Sequence, residues 1–258
     1  MGLFAAAAAA LAALFLGLPL LGLVVRAVGA NGLAIGRPIA LDALQLSLLT
    51  TTAVLGLTLA VGSPLALLLA RRRFRGVGLV DTLVDLPIVL PPAVAGLALL
   101  LTLGRRGLLG APLAAIGVEL PFTTAAVVLA SVFVAAPFYV RAARAGFLAV
   151  PREIEEAARV EGASEWQVFV HVTAPVAAPA LVGGAILCWA RALGEFGATI
   201  MFAGSFQGRT QTMPLAIYAA LESDLDAAVG LSVLLLAISC VLLVAFRQWL
   251  RAASEQAA

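Results

Sequence analysis

The chain has 258 residues and a formal net charge of only +2. Its hydrophobic share is 63% before glycine is counted, against about 45–50% with glycine in soluble domains. With 12% charged residues there is too little charge to disperse such a surface in water, so a soluble globule is excluded and the surface must face lipid.

A bilayer-spanning helix needs about 20 mostly apolar residues. Runs of that length lie at about 3–25, 46–70, 79–103, 122–146, 176–203 and 227–246. The first reads as a retained helix. Val28-Gly29-Ala30 follows it as a cleavage site would, but no basic segment precedes it. Its uncharged stretch, Gly2 to Val25, also exceeds a signal core of about 7–15 residues. The second run ends on Arg71, Arg72, Arg73 and Arg75. The third carries Pro87, Pro91 and Pro92, which remove backbone donors. Such interruptions are tolerated at membrane depth beside protein or a watery cavity. A plain kink is the other reading. Asp81 and Asp85 in the same run have the spacing of a metal-diphosphate motif, but that chemistry needs a second acidic cluster.

Between the fourth and fifth runs lies the longest polar stretch, residues 151–172, PREIEEAARVEGASEWQVFVHV. It reads as two short helices joined at Gly162. Pro151 is placed to start the first, with Glu153, Glu155 and Glu156 at its positive end. Glu155 and Arg159 have the spacing of a supporting pair. Ser164 and Gln167 form a capping box for the second helix. Trp166, Val168, Phe169 and Val170 make the stretch more apolar than a free loop. It either lies on the membrane or docks a partner through apolar anchors inside a polar rim. His171 at its end reads as an interfacial residue.

The fifth run is expected to be one helix. Ala190, Gly194 and Ala198 then form a small-residue stripe that suits helix packing or a pore lining. Arg191 and Glu195 would share one face within an otherwise uncharged span. After the sixth run, Trp249 suits the interfacial belt. With the N-terminus inside, Arg71, Arg72, Arg73, Arg75, Arg141, Arg144, Arg152, Arg159, Arg247 and Arg251 fall on the inner side. Arg26, Arg37, Arg105, Arg106 and Arg209 fall on the outer side. That asymmetry favours both termini in the cytoplasm. The fold expected is all-α, a single six-span membrane domain over 1–258.

Absences narrow the chemistry. All 16 basic residues are arginine, so a phosphate-binding loop ending in Lys-Ser/Thr and a Schiff-base lysine are both excluded. His171 is the lone histidine. Cys188 and Cys240 lie in apolar runs, so neither a disulfide framework nor a metal site is read.

One spaced pattern goes further. Glu156-Ala157-Ala158, three residues, Gly162, nine residues, Val172, one residue and Ala174-Pro175 resembles the EAA loop. That loop marks the membrane subunits of ATP-binding-cassette importers of the type I class. Their pattern has isoleucine and leucine where this chain has Val172 and Ala174. The resemblance covers about residues 42–248, with 151–172 as the cytoplasmic coupling loop. It implies that Glu156, Ala157, Ala158, Gly162 and Trp166 couple the chain to an ATPase subunit. It also implies a homodimer, two ATP-binding-cassette ATPase subunits, an external binding protein and no nucleic acid. No cofactor is expected on this chain, with ATP and magnesium used by the ATPase. No catalytic residue is expected either.

The stretch from Ala192 to Tyr218, ALGEFGATIMFAGSFQGRTQTMPLAIY, is similar to the oxyanion branch of that family. Gly194-Glu195-Phe196-Gly197-Ala198-Thr199, Met201-Phe202-Ala203-Gly204 and Thr212-Met213-Pro214-Leu215-Ala216-Ile217-Tyr218 look most like molybdate permeases. Tungstate is not separated from molybdate by sequence, and sulfate or thiosulfate is the rival inside the branch. A stand-alone secondary transporter is the rival from another class. Arg191, Gly194, Glu195 and Thr199 are the candidate pathway residues.

Overall fold

The computed structural model describes residues 2–29, 38–72 and 74–255, and these are helical with short turns. In chain order the helices are α1 (Gly2–Gly29), α2 (Pro38–Arg71), α3 (Val77–Val89) and α4 (Pro92–Leu103). They continue with α5 (Gly110–Ala115), α6 (Thr124–Ala149), α7 (Arg152–Val160) and α8 (Glu165–Val168). A π-helical turn, Phe169–Thr173, leads into α9 (Ala174–Leu193). The chain then forms α10 (Gly197–Ala203), α11 (Met213–Leu221) and α12 (Leu225–Glu255). Arg37 and Arg73 fall outside the described residues, as do the side chains of Arg247, Trp249 and Arg251.

Among the described residues five helices are long and apolar enough to cross a membrane, and α3 with α4, bent by 119°, is apolar enough to cross it as a pair. The bend falls at Leu90–Pro91. Pro91 and Pro92 supply no backbone N–H there, and Pro92 instead opens α4, where a missing donor is harmless. Pro87 is accommodated inside α3 and does not cause the break.

The fifth span departs from the expected single helix. α9 ends at Leu193, and α10 restarts at Gly197. The Gly194 and Glu195 N–H groups close onto the Ala190 and Ala192 carbonyls, and Phe196 leaves helical geometry. Ala190, Gly194 and Ala198 therefore do not form a stripe on one helix. Arg191 and Glu195 likewise do not share a helix face.

Two buried clusters frame the site, and a third joins α2, α11 and α12 around Ala43, Met213 and Leu231. Of the first two, one joins α2, α6 and α9 around Val54, Leu69, Tyr139, Phe147 and Cys188. The other joins α4, α6 and α10 around Ala95, Val127, Val134 and Phe202. Ala192 belongs to the first and Ala198 to the second, so the turn between α9 and α10 bridges them. α6 and α9 approach closely because Gly184 leaves no room for a side chain against Ala142, where a Cβ would come within 2.7 Å. α1 packs against α12, with Arg26 paired to Asp226 at 3.3 Å.

Candidate docking element and midspan turn

The segment 151–172 folds as expected into two short helices, but the second is not free. α8 runs through the π-helical turn straight into α9. Pro151 stands at the N-cap of α7, and Glu153 and Glu155 occupy its first turn. Gly162 turns the chain at φ +93°, a left-handed conformation that a side chain resists. The capping box at the start of α8 forms completely, the Ser164 N–H donating to Gln167 Oε1 at 2.8 Å.

Ile154, Val160 and Trp166 project outward, Val160 and Trp166 at 89% and 71% exposure. Glu156 and Ala157 are exposed and Ala158 is half-buried. Val168 is enclosed, and Phe169 stacks between exposed Trp166 and buried Phe147, at centroid distances of 5.8 and 6.2 Å. Apolar side chains thus stand on a polar rim at one end of the bundle.

The charges pair differently from the sequence expectation. Glu155 does not meet Arg159, because the first turn of α7 faces it inward. Its Oε1 accepts from Arg71 Nη2 and from Thr173 Oγ1, both at 2.7 Å. Arg159 instead bonds Glu165 across the Gly162 turn at 2.7 Å. That hydrogen bond holds Glu165 below the ordinary carboxylate range and pushes Arg159 up. His171 is exposed, with Nδ1 at 3.0 Å from the Gln167 carbonyl.

The midspan turn is the second site. Glu195 is 2% exposed, its Oε1 accepting from the Ala198 N–H at 2.7 Å. Its Oε2 lies 2.7 Å from Arg191 Nη1. The carboxylate therefore restarts the helix and neutralises the arginine at once. The Arg191 side chain keeps 27% of its surface accessible, and Gly194 is exposed beside it. Thr199 is fully buried one turn into α10, and its Oγ1 has no hydrogen-bond partner among the described residues. The structure thus joins Arg191, Gly194 and Glu195 in one turn and places Thr199 behind it.

Two arrangements escape the sequence reading. The Arg71–Glu155–Thr173 contact joins residues 84 and 18 positions apart, which local spacing does not reveal. Asp81 and Asp85 each meet an arginine of α6, Arg144 and Arg141 respectively, so they form a ladder between α3 and α6. The four-residue spacing of the acids and the three-residue spacing of the arginines was a legible signal for it.

Residues 62–257 match the family described as binding-protein-dependent transport system inner membrane component. The molybdenum transport system permease protein ModB of Mycobacterium tuberculosis is 42% identical over 231 residues, covering 89% of this chain and 88% of that one. The molybdate/tungstate transport system permease protein WtpB of Pyrococcus abyssi is 36% identical over 213 residues, covering 83% and 79%. The fold is similar to a chain in the crystal structure of a bacterial alginate ABC transporter in complex with alginate pentasaccharide-bound periplasmic protein. That likeness has a TM-score of 0.74 at 16% identity, over 98% of this chain and 94% of that one.

Proposed function

The chain belongs to the family of inner membrane components of binding-protein-dependent transport systems, and from that premise we propose that it is the permease subunit of an ATP-driven molybdate importer. One observation carries the reading. A chain 42% identical to a molybdenum transport permease also holds an apolar-tipped pair of short helices at the EAA spacing. With no lysine for a phosphate-binding loop, ATP and magnesium belong to a separate ATPase, and this subunit transmits motion without catalysing a reaction.

Two copies pair about a central route, each docking one ATPase through α7 and α8. Glu156, Ala157, Ala158, Gly162 and Trp166 form that contact, with Trp166 as its anchor. An external binding protein delivers the oxyanion at the opposite end. The chain crosses the inner membrane with both termini in the cytoplasm, on the side richer in arginine. Of the candidate pathway residues, Arg191 and Gly194 face the route, with Glu195 and Thr199 buried behind them. Arg191 draws the anion in, and Glu195 keeps the site from holding it.

Selectivity tests the substrate. Molybdate and sulfate carry the same charge, so size and the binding protein must separate them. The complex reconstituted with its own binding protein accumulates labelled molybdate, and equal sulfate competes weakly. Import of sulfate without molybdate would overturn the assignment.

A further inference from the structure

Among the described residues two carboxylate side chains are enclosed, Glu195 in the midspan turn and Glu155 at the base of the docking element. Glu153 and Glu156 beside it point outward, so the inward position of Glu155 is particular to that residue. Its Oε1 is where three elements meet. Arg71 is the last residue of α2, Glu155 lies in the first turn of α7, and Thr173 closes the π-helical turn before α9. Arg71 Nη2 also donates to the carbonyl of Val150, just past the end of α6, at 3.3 Å.

We propose that Arg71, Glu155 and Thr173 form a positioning joint that fixes α7 to the ends of α2 and α9, so that a displacement of α7 moves those spans. The proposal rests on the reading of α7 and α8 as the ATPase dock. Apart from the joint, α7 is held by its chain connections at Pro151 and Gly162 and by the Arg159–Glu165 pair, which reaches only α8 and is exposed on the glutamate side. The aromatic series Trp166–Phe169–Phe147 ties α8 to α6, but nothing in it reaches α7. A buried ion pair adds little net stability over an apolar contact of equal volume. What it supplies is direction, because charge-assisted hydrogen bonds hold angle as well as distance.

The test uses the full complex with ATPase and binding protein, and reads molybdate moved per ATP hydrolysed. Glu155→Gln inserts, binds ATPase as the unsubstituted chain does and hydrolyses ATP, while the transport ratio falls about tenfold, the scale of one lost charge-assisted hydrogen bond. Thr173→Val, which keeps shape and removes only the hydroxyl, lowers the ratio less, and Thr173→Ser restores it. An unchanged ratio in both Glu155→Gln and Thr173→Val overturns the joint. If Glu155→Gln does not insert, an unchanged ratio in Thr173→Val alone overturns it. Loss of ATPase binding by an inserted Glu155→Gln also overturns it, since that would make Glu155 part of the contact. Trp166→Ala separates the two readings: retained ATPase binding there defeats the dock itself, and the joint with it.

Discussion

Glu195 performs two tasks in a space closed to water. One oxygen caps α10 at the Ala198 N–H and the other neutralises Arg191. Replacing it with alanine removes a cap worth about 1 kcal/mol and strands a charge within the span. A cleaner probe is Arg191→Ala with Glu195→Gln, which removes both charges while the amide oxygen keeps the cap. That protein inserts normally, and its molybdate uptake falls about tenfold if the guanidinium serves the anion's passage. Near-normal uptake would reduce the pair to self-neutralisation. The residue identities at this site were legible in the sequence, and so was their closeness. Their geometry was not, because the pair does not lie along a helix. The glycines at 194 and 197 signal the break, but the surrounding hydropathy reads as one continuous span.

At the scale of elements, the docking segment was the most legible part of the molecule. Pro151, Gly162 and the Ser164–Gln167 box each act through neighbouring residues, so sequence order specifies them. Its pairing was misread for the converse reason. Glu155 satisfied an i,i+4 pattern with Arg159, yet burial against Arg71 offered a stronger partner. The bent third span follows the same logic. Adjacent prolines at 91 and 92 dictate a break, whereas the size of the bend depends on packing against α10. Gly162 gives the sharpest test here. No atom lies within 4 Å of a Cβ built on it, so a substitution there meets strain in the backbone alone. A β-branched residue at φ +93° costs about 1–2 kcal/mol or more, enough to swing α7 but too little to unfold the bundle. Gly162→Val therefore inserts, binds ATPase weakly and loses transport, whereas Gly162→Asn, which tolerates this conformation, keeps both. Normal uptake by well-expressed Gly162→Val would refute the dock.

Over the whole molecule, the α2–α6–α9 and α4–α6–α10 clusters share α6, and the helices that follow the breaks at Pro91 and at Gly194–Phe196, α4 and α10, enter the same cluster. α10 packs along α4, with Gly197 beside Pro92. The arrangement sets the docking element at one end of the α2–α6–α9 cluster and the Glu195 turn at the other. Motion imposed on α7 thus has a packed path to the proposed route, through elements that share buried side chains. Composition alone placed the chain in lipid and counted its spans. Long-range pairing, such as that of Arg71 with Glu155, came only with the fold, since no local rule joins residues so far apart. ATP as the energy source belongs to the proposal that α7 and α8 dock an ATPase, and it is tested with it. The direct measurement is molybdate accumulation in vesicles holding the chain, its ATPase and binding protein, with ion gradients collapsed by ionophores. Uptake is expected to persist, to require ATP on the docking side and to stop when the ATPase is omitted. Uptake by the chain alone, driven by an ion gradient and indifferent to ATP, would contradict the account.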